Sequence, residues 1–357
     1  MPDLLDATRI VAESIAGLLG PEASATPGMF SLPGQPGLSE RTVDEIDRQV
    51  VQPVRMIAGR GGKGWRASVM LAACDAMGGD SEVLHPWVGV FELLHVGSLI
   101  VDDVQDGSTL RRGGPCCHEV YDEAVAINAG TSAYFLVDRM VDGLDVSPQA
   151  KLAIYRVFFR CVRAAHAGQG MDLAGLLPEA TRAVARGTTA SLLDSVVAIH
   201  QLKTGYPVVL CMLVGAIVAG ADVQRRGVLT RYGLAMGVAF QIGDDILNLT
   251  GFASGLKTLG EDIAAGKITF PIAMALHHLD AEGRDDLLTR MRARQDTQEN
   301  REAVQALLVR SDAIARSQRF ATRLLEDAWA PLAQLLPRSA ARDRLESYGP
   351  LFLHRHY

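Results

Sequence analysis

No two of the five cysteines (Cys74, Cys116, Cys117, Cys161, Cys211) form a C-x-x-C pair. That argues against the common zinc and dithiol-redox motifs, and an odd count without regular spacing argues against a disulfide framework. A reducing, cytoplasmic setting is the simplest expectation. An apolar run of about 20 residues, the length a membrane-spanning helix needs, is also missing. The run Tyr206–Ala221 falls short, contains Pro207, and reads as a buried core helix, so no transmembrane segment is expected. Asp3 and Asp6 stand where a secretory signal would carry positive charge. Nor is there an excess of basic residues: 35 Lys and Arg face 41 Asp and Glu, for a net charge of −6. A nucleic-acid partner would call for a basic footprint, so none is expected. Clear period-2 strand patterns and short internal repeats are absent as well.

What is present is an ordinary globular balance, 48% hydrophobic and 21% charged, with helical periodicity almost throughout. Apolar residues recur at i, i+3 and i+4 over Val88–Asp106, Thr188–Leu202, Leu229–Leu249 and Ala303–Leu336. Several of these windows are apolar nearly all round, which marks central helices. Breakers separate them at Gly59–Gly62, Gly113–Pro115 and Gly251–Gly260. Residues 2–20 have the pattern of a short amphipathic helix, followed by a Pro/Gly/Ser-rich linker from Pro21 to Ser39. The expected organisation is an N-terminal arm, 1–40, and one all-α domain, 41–357. That domain would be a bundle of roughly ten helices around a central cavity.

Inside two of the apolar windows the chain writes the same acidic signature. One copy is Asp102-Asp103-Val104-Gln105-Asp106 and the other is Asp244-Asp245-Ile246-Leu247-Asn248. On a helix, residues i and i+4 share a face, about 5–6 Å apart at Cβ. Asp102 and Asp106 form such a pair, as do Asp244 and Asn248. Like charges so placed repel, and a divalent cation is the usual remedy. Hard carboxylate oxygens suit Mg²⁺, which shares its shell with water and substrate phosphates. Two such faces meeting across a bundle would hold a diphosphate between them.

Cations accompany the acids. Arg111 and Arg112 follow the first motif and precede the helix breaker Gly113-Gly114-Pro115. Their planar forks suit bidentate phosphate binding. Lys63 and Arg66 fall at i, i+3 on the first turn of a helix, whose free N–H groups favour anions. His95 lies seven residues before Asp102 on the same face. Lys203, Lys257 and Lys267 come later, with Thr204 and Asp262 among them. Lys203, Lys257 and Lys267 could serve one diphosphate through metal ions. Lys63, Arg66, Arg112 and His95 could serve a second without metal.

From about Ile57 to Ile272 the chain resembles the trans-isoprenyl diphosphate synthases, the polyprenyl synthetase family. The resemblance rests on Lys63-Gly64-Trp65-Arg66, on Glu92-Leu93-Leu94-His95 leading into Asp102–Asp106, and on Arg111-Arg112-Gly113-Gly114-Pro115. Gly168-Gln169-Gly170-Met171-Asp172, Lys203-Thr204, Phe240-Gln241-Ile242-Gly243-Asp244-Asp245 and Gly266-Lys267 continue it. It is strongest for members that make geranylgeranyl diphosphate. It implies an isoprenoid-synthase-type fold, a homodimer, and condensation of isopentenyl diphosphate with an allylic diphosphate. By the same resemblance Asp102 and Asp106 hold two Mg²⁺ and Asp244 a third, with Mn²⁺ a possible substitute and Asp172 a further candidate ligand. Arg111, Lys203 and Lys257 grip the allylic diphosphate, while Lys63, Arg66, His95 and Arg112 grip isopentenyl diphosphate. Thr204 and Gln241 line the place where positive charge develops. Asp103 and Asp245 point off the metal face.

Departures from the family pattern are Gly64, Ala67 and Asn248, the last bringing an amide where the motif usually has an acid. Product length is expected to depend on the turns before Asp102. Gly97 and Ser98 are small and would let a fifteen-carbon chain pass, with Leu94 and Phe91 deeper. Rival readings are a longer-chain synthase, a terpene cyclase on the same fold, and a non-catalytic subunit of a heteromeric synthase. The cyclase has no use for the second cation group. The non-catalytic subunit should have eroded acids or arginines.

Overall fold

The computed structural model describes residues 2–20, 30, 37–250 and 260–353. The expected all-α architecture is found. Among the described residues the strands amount to one two-residue hairpin, Leu110 pairing with Pro115 and Arg111 with Gly114. The packing divides the chain into two compact units. One comprises Met1–Arg156 with Val214–Gly220, the other Val157–Leu213 with Ala221–Tyr357.

The first unit is built on the helix Val88–Asp106, entered through a 3₁₀ turn, Ser81–Trp87, that Asp80 caps. Its apolar stripe, Val90, Phe91, Leu93, Val96 and Ile100, is almost wholly buried. Burying each such side chain is worth about 1.5–3 kcal/mol. The helices Pro2–Leu18, Gln52–Ala58, Trp65–Ala76 and Glu123–Ser132 pack around it. The N-terminal helix is therefore part of this unit. Its Ser14 hydroxyl accepts from Gly89 N–H at 2.9 Å and donates to the Pro86 carbonyl at 2.6 Å. The boundary expected near residue 40 is not where the packing divides, and most of the linker Pro21–Ser39 lies outside the described residues.

Gly97 faces Gly130 on the helix Glu123–Ser132. A Cβ added at 97 would lie 2.3 Å from the Gly130 carbonyl oxygen and 3.0 Å from Ala133 Cβ. The position is small because two helices touch there. That corrects the expectation that Gly97 lines a route for substrate.

The second unit centres on the helix Val223–Thr250, which packs against Ala313–Leu335 and Ala340–Leu353. Tyr232 is buried here, its hydroxyl donating to the carbonyls of Leu345 and Glu346 at 3.2 Å each. Thr189–His200 continues through a π-helical turn, Gln201–Gly205, into Tyr206–Val218. Windows that read separately in sequence thus join. The turn sits in backbone contact with the central helix: a Cβ on Gly237 would lie 2.3 Å from Gly205 Cα. The window Ala303–Leu336 divides instead into Gln298–Arg310 and Ala313–Leu335, because Asp312 adopts a left-handed backbone, φ 55°.

By length and composition, Ser81–Asp106 and Thr189–Val218 are apolar enough to cross a membrane. The sequence reading looked for an unbroken uncharged run, found Tyr206–Ala221 too short, and so saw no such span. More than half of each apolar window is buried within the protein, as core helices are.

Candidate active site

In the first unit the helix Val88–Asp106 ends at Gly107, whose left-handed backbone closes it just beyond the acids. Asp102 is half-buried and Asp106 exposed, while Asp103 is fully buried. The chain then reverses through the hairpin, so Arg111 returns beside the helix it has just left. Its guanidinium donates to Asp103 through two nitrogens, Nε at 2.9 Å. Burial opposes the charge of Arg111, but Asp103 and then Asp102 raise its pKa overall. Arg111 is therefore held on Asp103 here, where the sequence reading placed it on a diphosphate. Asp103 is taken up by this pair, while Asp102 and Asp106 keep solvent access.

Arg112, in a left-handed backbone at φ 51°, turns the other way. Its guanidinium donates to Glu92 at 2.7 Å and to the Gly61 carbonyl. Glu92 is 5% exposed, and burying it is tolerable because it is paired. Arg60 reaches across to the carbonyls of Arg111 and Pro115 at 2.8 and 2.7 Å. The loop Gly59–Gly64 and the hairpin are thereby clasped together. Lys63 sits exposed at the end of that loop, and Arg66 lies over the Trp65 ring at 4.3 Å. Burial first, then the charges of Arg66, Arg112 and Arg111, hold His95 well below its ordinary pKa. The structure thus gathers a neutral imidazole among three arginines, which is the environment an incoming anion would complete. Glu92 was legible only as part of a motif; its burial beside an arginine was not.

Ser98 is exposed and donates its hydroxyl to the His95 carbonyl at 2.8 Å. Leu94 is half-buried, and Phe91, 2% exposed, belongs to the core.

The second unit holds a recess lined by Asp172, His200, Lys203, Thr204, Gln241, Asp245 and Lys267 with apolar neighbours including Met171, Val196, Ile199 and Ile268. The π turn carries Lys203 and Thr204 into it. Such turns mark functional sites often enough to be informative, and nothing in the sequence announced this one. A Cβ on Gly168 would strike Lys203 N at 2.4 Å, so the helix beneath must carry glycine there.

One oxygen of Asp172 accepts from Lys203 at 2.7 Å and from Lys267 at 3.0 Å. Burial alone would raise the Asp172 pKa; the ammonium groups of Lys267 and Lys203 hold it below its usual range. Lys267 is correspondingly raised against the effect of its burial. Two of the three lysines read as serving one diphosphate are brought together, and Asp172, read as a possible metal ligand, is the bridge between them.

Beside this set runs a second chain of contacts. Thr204 donates to Gln241 at 3.0 Å, Gln241 donates to Asp245 at 3.2 Å, and Asp245 also accepts from Phe270 N–H at 3.0 Å. His200 stands 3.4 Å from Asp245. Asp244, next to it, stays half-exposed. Asn248 accepts from Asp262 N–H at 3.3 Å, and its carbonyl accepts from Gly260 N–H at 2.9 Å. It anchors the backbone returning after the acidic helix. Lys257 lies outside the described residues. The five cysteines are free and buried, and burial pushes Cys116 up to about 12, so these thiols pack rather than react.

The family model for polyprenyl synthetase matches residues 47–308. Geranylgeranyl pyrophosphate synthase 10, mitochondrial, of Arabidopsis thaliana is 32% identical over 64% of this chain and 68% of its own length. Farnesyl diphosphate synthase of Geobacillus stearothermophilus is 34% identical over 60% of this chain and 72% of its own. Among solved structures, geranylgeranyl pyrophosphate synthase from Corynebacterium glutamicum, complexed with isoprenyl diphosphate and magnesium, aligns with TM-score 0.79 at 20% identity. That alignment covers 99% of each chain. It carries the fold.

Buried titrating groups give folding a pH dependence. Burial, with Lys267 and Lys203 adding to it, holds His200 at about 3. His95 is lowered in the same direction. The unfolded chain protonates both near pH 6.5 while the folded chain does not, so stability is lost as pH falls below about 6.5. Asp245, pushed up to about 6 by burial, acts oppositely; its contribution is lost as pH rises through that value. Two histidines outweigh one carboxyl, and melting temperature should fall from pH 7 to pH 5. The His200 share is about 2 kcal/mol at pH 5, and His200→Gln should flatten the profile. An equally steep fall in that variant would show that His200 is not the source.

Proposed function

Because the chain belongs to the polyprenyl synthetase family, and with it to the trans-prenyltransferases, we propose that it condenses isopentenyl diphosphate with an allylic diphosphate, using Mg²⁺, to make geranylgeranyl diphosphate. One observation carries this reading. The protein keeps two sets of cations, Lys203 and Lys267 on Asp172, and Arg66, Arg112 and Arg111 around His95. A cyclase handles one diphosphate, a condensing enzyme two. Acids and arginines are intact, against a non-catalytic subunit.

Among the described residues no three His, Cys, Asp or Glu side chains gather into a cage for a metal ion. What is offered is Asp102 and Asp106, carboxylates one turn apart at an accessible helix end, and Asp244 on the other acidic helix. Such open oxygen sets fit Mg²⁺, which completes its shell with water and phosphate oxygens. Bound there, Mg²⁺ would neutralise the departing diphosphate. Lys203 and Lys267 share that work on the allylic side. As the C–O bond breaks, its electron pair leaves with the diphosphate and the carbon becomes cationic. The oxygens of Thr204 and Gln241 face that charge. Lys63, Arg66, Arg112 and His95 hold isopentenyl diphosphate so that its double bond attacks. A proton then leaves, taken by the released diphosphate, and the chain is five carbons longer.

We also propose a homodimer. Large apolar side chains stand exposed at Leu110 (71%), Phe135 (66%), Leu152 (50%), Val120 (49%) and Ile127 (44%). Isolated exposed apolar residues are ordinary, but so many along one stretch of chain favour a partner. A cytoplasmic location accords with the free thiols and is checked by cell fractionation. Light scattering at micromolar concentration should give twice the 38.3 kDa of one chain; a single-chain mass would refute the dimer.

Activity should require Mg²⁺, and Asp102→Ala or Asp244→Ala should lower turnover by several powers of ten, since each removes charge facing the leaving group. Incubation with labelled isopentenyl diphosphate and allylic primers is the assay. Near-normal turnover in a variant that keeps its circular dichroism would sink the assignment.

Product length is the finer proposal. Gly97 is taken up by helix contact, which leaves Ser98 as the small, exposed position before the acids, with Leu94 a turn deeper. Ser98→Phe should shift output from twenty towards fifteen carbons on chromatography. An active variant with unchanged product length would show that the chain runs elsewhere.

A further inference from the structure

The Thr204–Gln241–Asp245 chain has a direction. Asp245 is 4% exposed and both its oxygens accept: one from Phe270 N–H at 3.0 Å, the other from Gln241 Nε2 at 3.2 Å. Phe270 opens the helix Phe270–His278, and its N–H is among those a helix cannot satisfy internally. Asp245 satisfies it, which fixes the carboxylate. An ionised carboxylate cannot donate, so the Gln241 amide must turn its NH₂ towards Asp245 and its carbonyl away. That carbonyl accepts the Thr204 proton at 3.0 Å. Thr204 has a single proton to give. Once it is given, the hydroxyl oxygen presents only lone pairs to the recess.

We propose that Asp245 is a positioning residue: through Gln241 it sets the hydrogen-bond polarity of Thr204, so that the recess offers lone pairs and no proton to a developing cation. This deepens the reading above and rests on it for the word cation. The direction of the hydrogen bonds stands without it. With the polarity reversed, Gln241 would point its NH₂ at Thr204, and the Thr204 O–H would point into the recess. A positive dipole would then face the reacting carbon. Charge developing in the transition state is where such preorganised dipoles act most strongly.

The test uses the shape of an amide against that of a carboxylate. In Asp245→Asn the oxygen is retained by Phe270 N–H, so the new NH₂ faces Gln241. Gln241 must then flip, and the polarity reverses. Turnover with allylic primer and isopentenyl diphosphate should drop about ten- to hundredfold, the usual range for a charged hydrogen bond. Both KM values should stay within about threefold and the Mg²⁺ dependence should not move. Adding Gln241→Glu to Asp245→Asn supplies an acceptor to both neighbours again. The carboxylate introduced at 241 accepts from the amide at 245 and from Thr204. The double variant should therefore recover turnover to within about fivefold of wild type, while Gln241→Glu alone, with two carboxylates opposed, should not.

A second readout is independent of catalysis. The melting temperature of each single variant should fall, and that of the double variant should return towards wild type. Additive losses in melting temperature, or a double variant no better than Asp245→Asn in turnover, would overturn the proposal. A wild type that binds diphosphates but forms no longer prenyl chain would overturn the reaction reading instead, and the melting-temperature cycle would still decide the polarity.

Discussion

The cost of burying charge without a partner governs this protein more than any other single constraint. A carboxylate withdrawn from water loses several kcal/mol of solvation, and only a close cation or several hydrogen bonds restores it. Asp103 has Arg111, Glu92 has Arg112, and Asp172 has Lys203 and Lys267. Asp245, which among the described residues gains no ammonium or guanidinium at contact distance, uses the N–H groups of Phe270 and Gln241. Each pairing joins residues far apart in the chain, so charge balance and local fold are decided together. The hairpin after the acidic helix returns Arg111 to its own helix and sends Arg112 to the Gly59–Gly64 loop. Two adjacent arginines thereby serve two different carboxylates.

The same constraint shows which side chains are spoken for. Asp102, Asp106 and Asp244 keep solvent access, whereas Asp103 and Asp245 beside them are buried and paired. Adjacent acids on one helix have opposite environments because a helix turns 100° per residue. One faces the core and must be satisfied by the protein. The other faces out and can be satisfied by something the protein binds. The doubled motif is therefore two kinds of acid in alternation.

Much of this was legible in the chain. The helices, the doubled acids and the cation groups follow from periodicity and spacing, and Asp103 and Asp245, set apart from Asp102 and Asp244 in the sequence reading, are buried while their neighbours keep solvent access. What was not legible depends on tertiary contact. Gly97 looked like an open passage, yet smallness has two causes, and a neighbouring helix supplied the second. The π turn holds one extra residue per turn, which a 3.6-residue pattern cannot reveal, and it is what presents Lys203 and Thr204. Asp312 broke a helix that its apolar spacing continued. Glu92 and His200 carried no local sign that arginine and aspartate would meet them.

Arranging cations on carboxylates before any anion arrives has a further consequence. Lysines with no anion nearby would repel, spread into solvent, and have to be reordered when a diphosphate bound. Held by Asp172, they stay charged and close, at 2.7 and 3.0 Å from one oxygen. A diphosphate offers more charge and more oxygens than one carboxylate, so it can take over contacts whose geometry is already set. Glu92 does the same for Arg112. His95 is held well below its ordinary pKa first by burial and then by Arg66, Arg112 and Arg111, so a further positive charge is unfavourable there. An anion that changed that balance would also change the affinity of His95 for a proton. Binding and protonation at this site are then two expressions of one electrostatic account, and the protein's own carboxylates set its starting point.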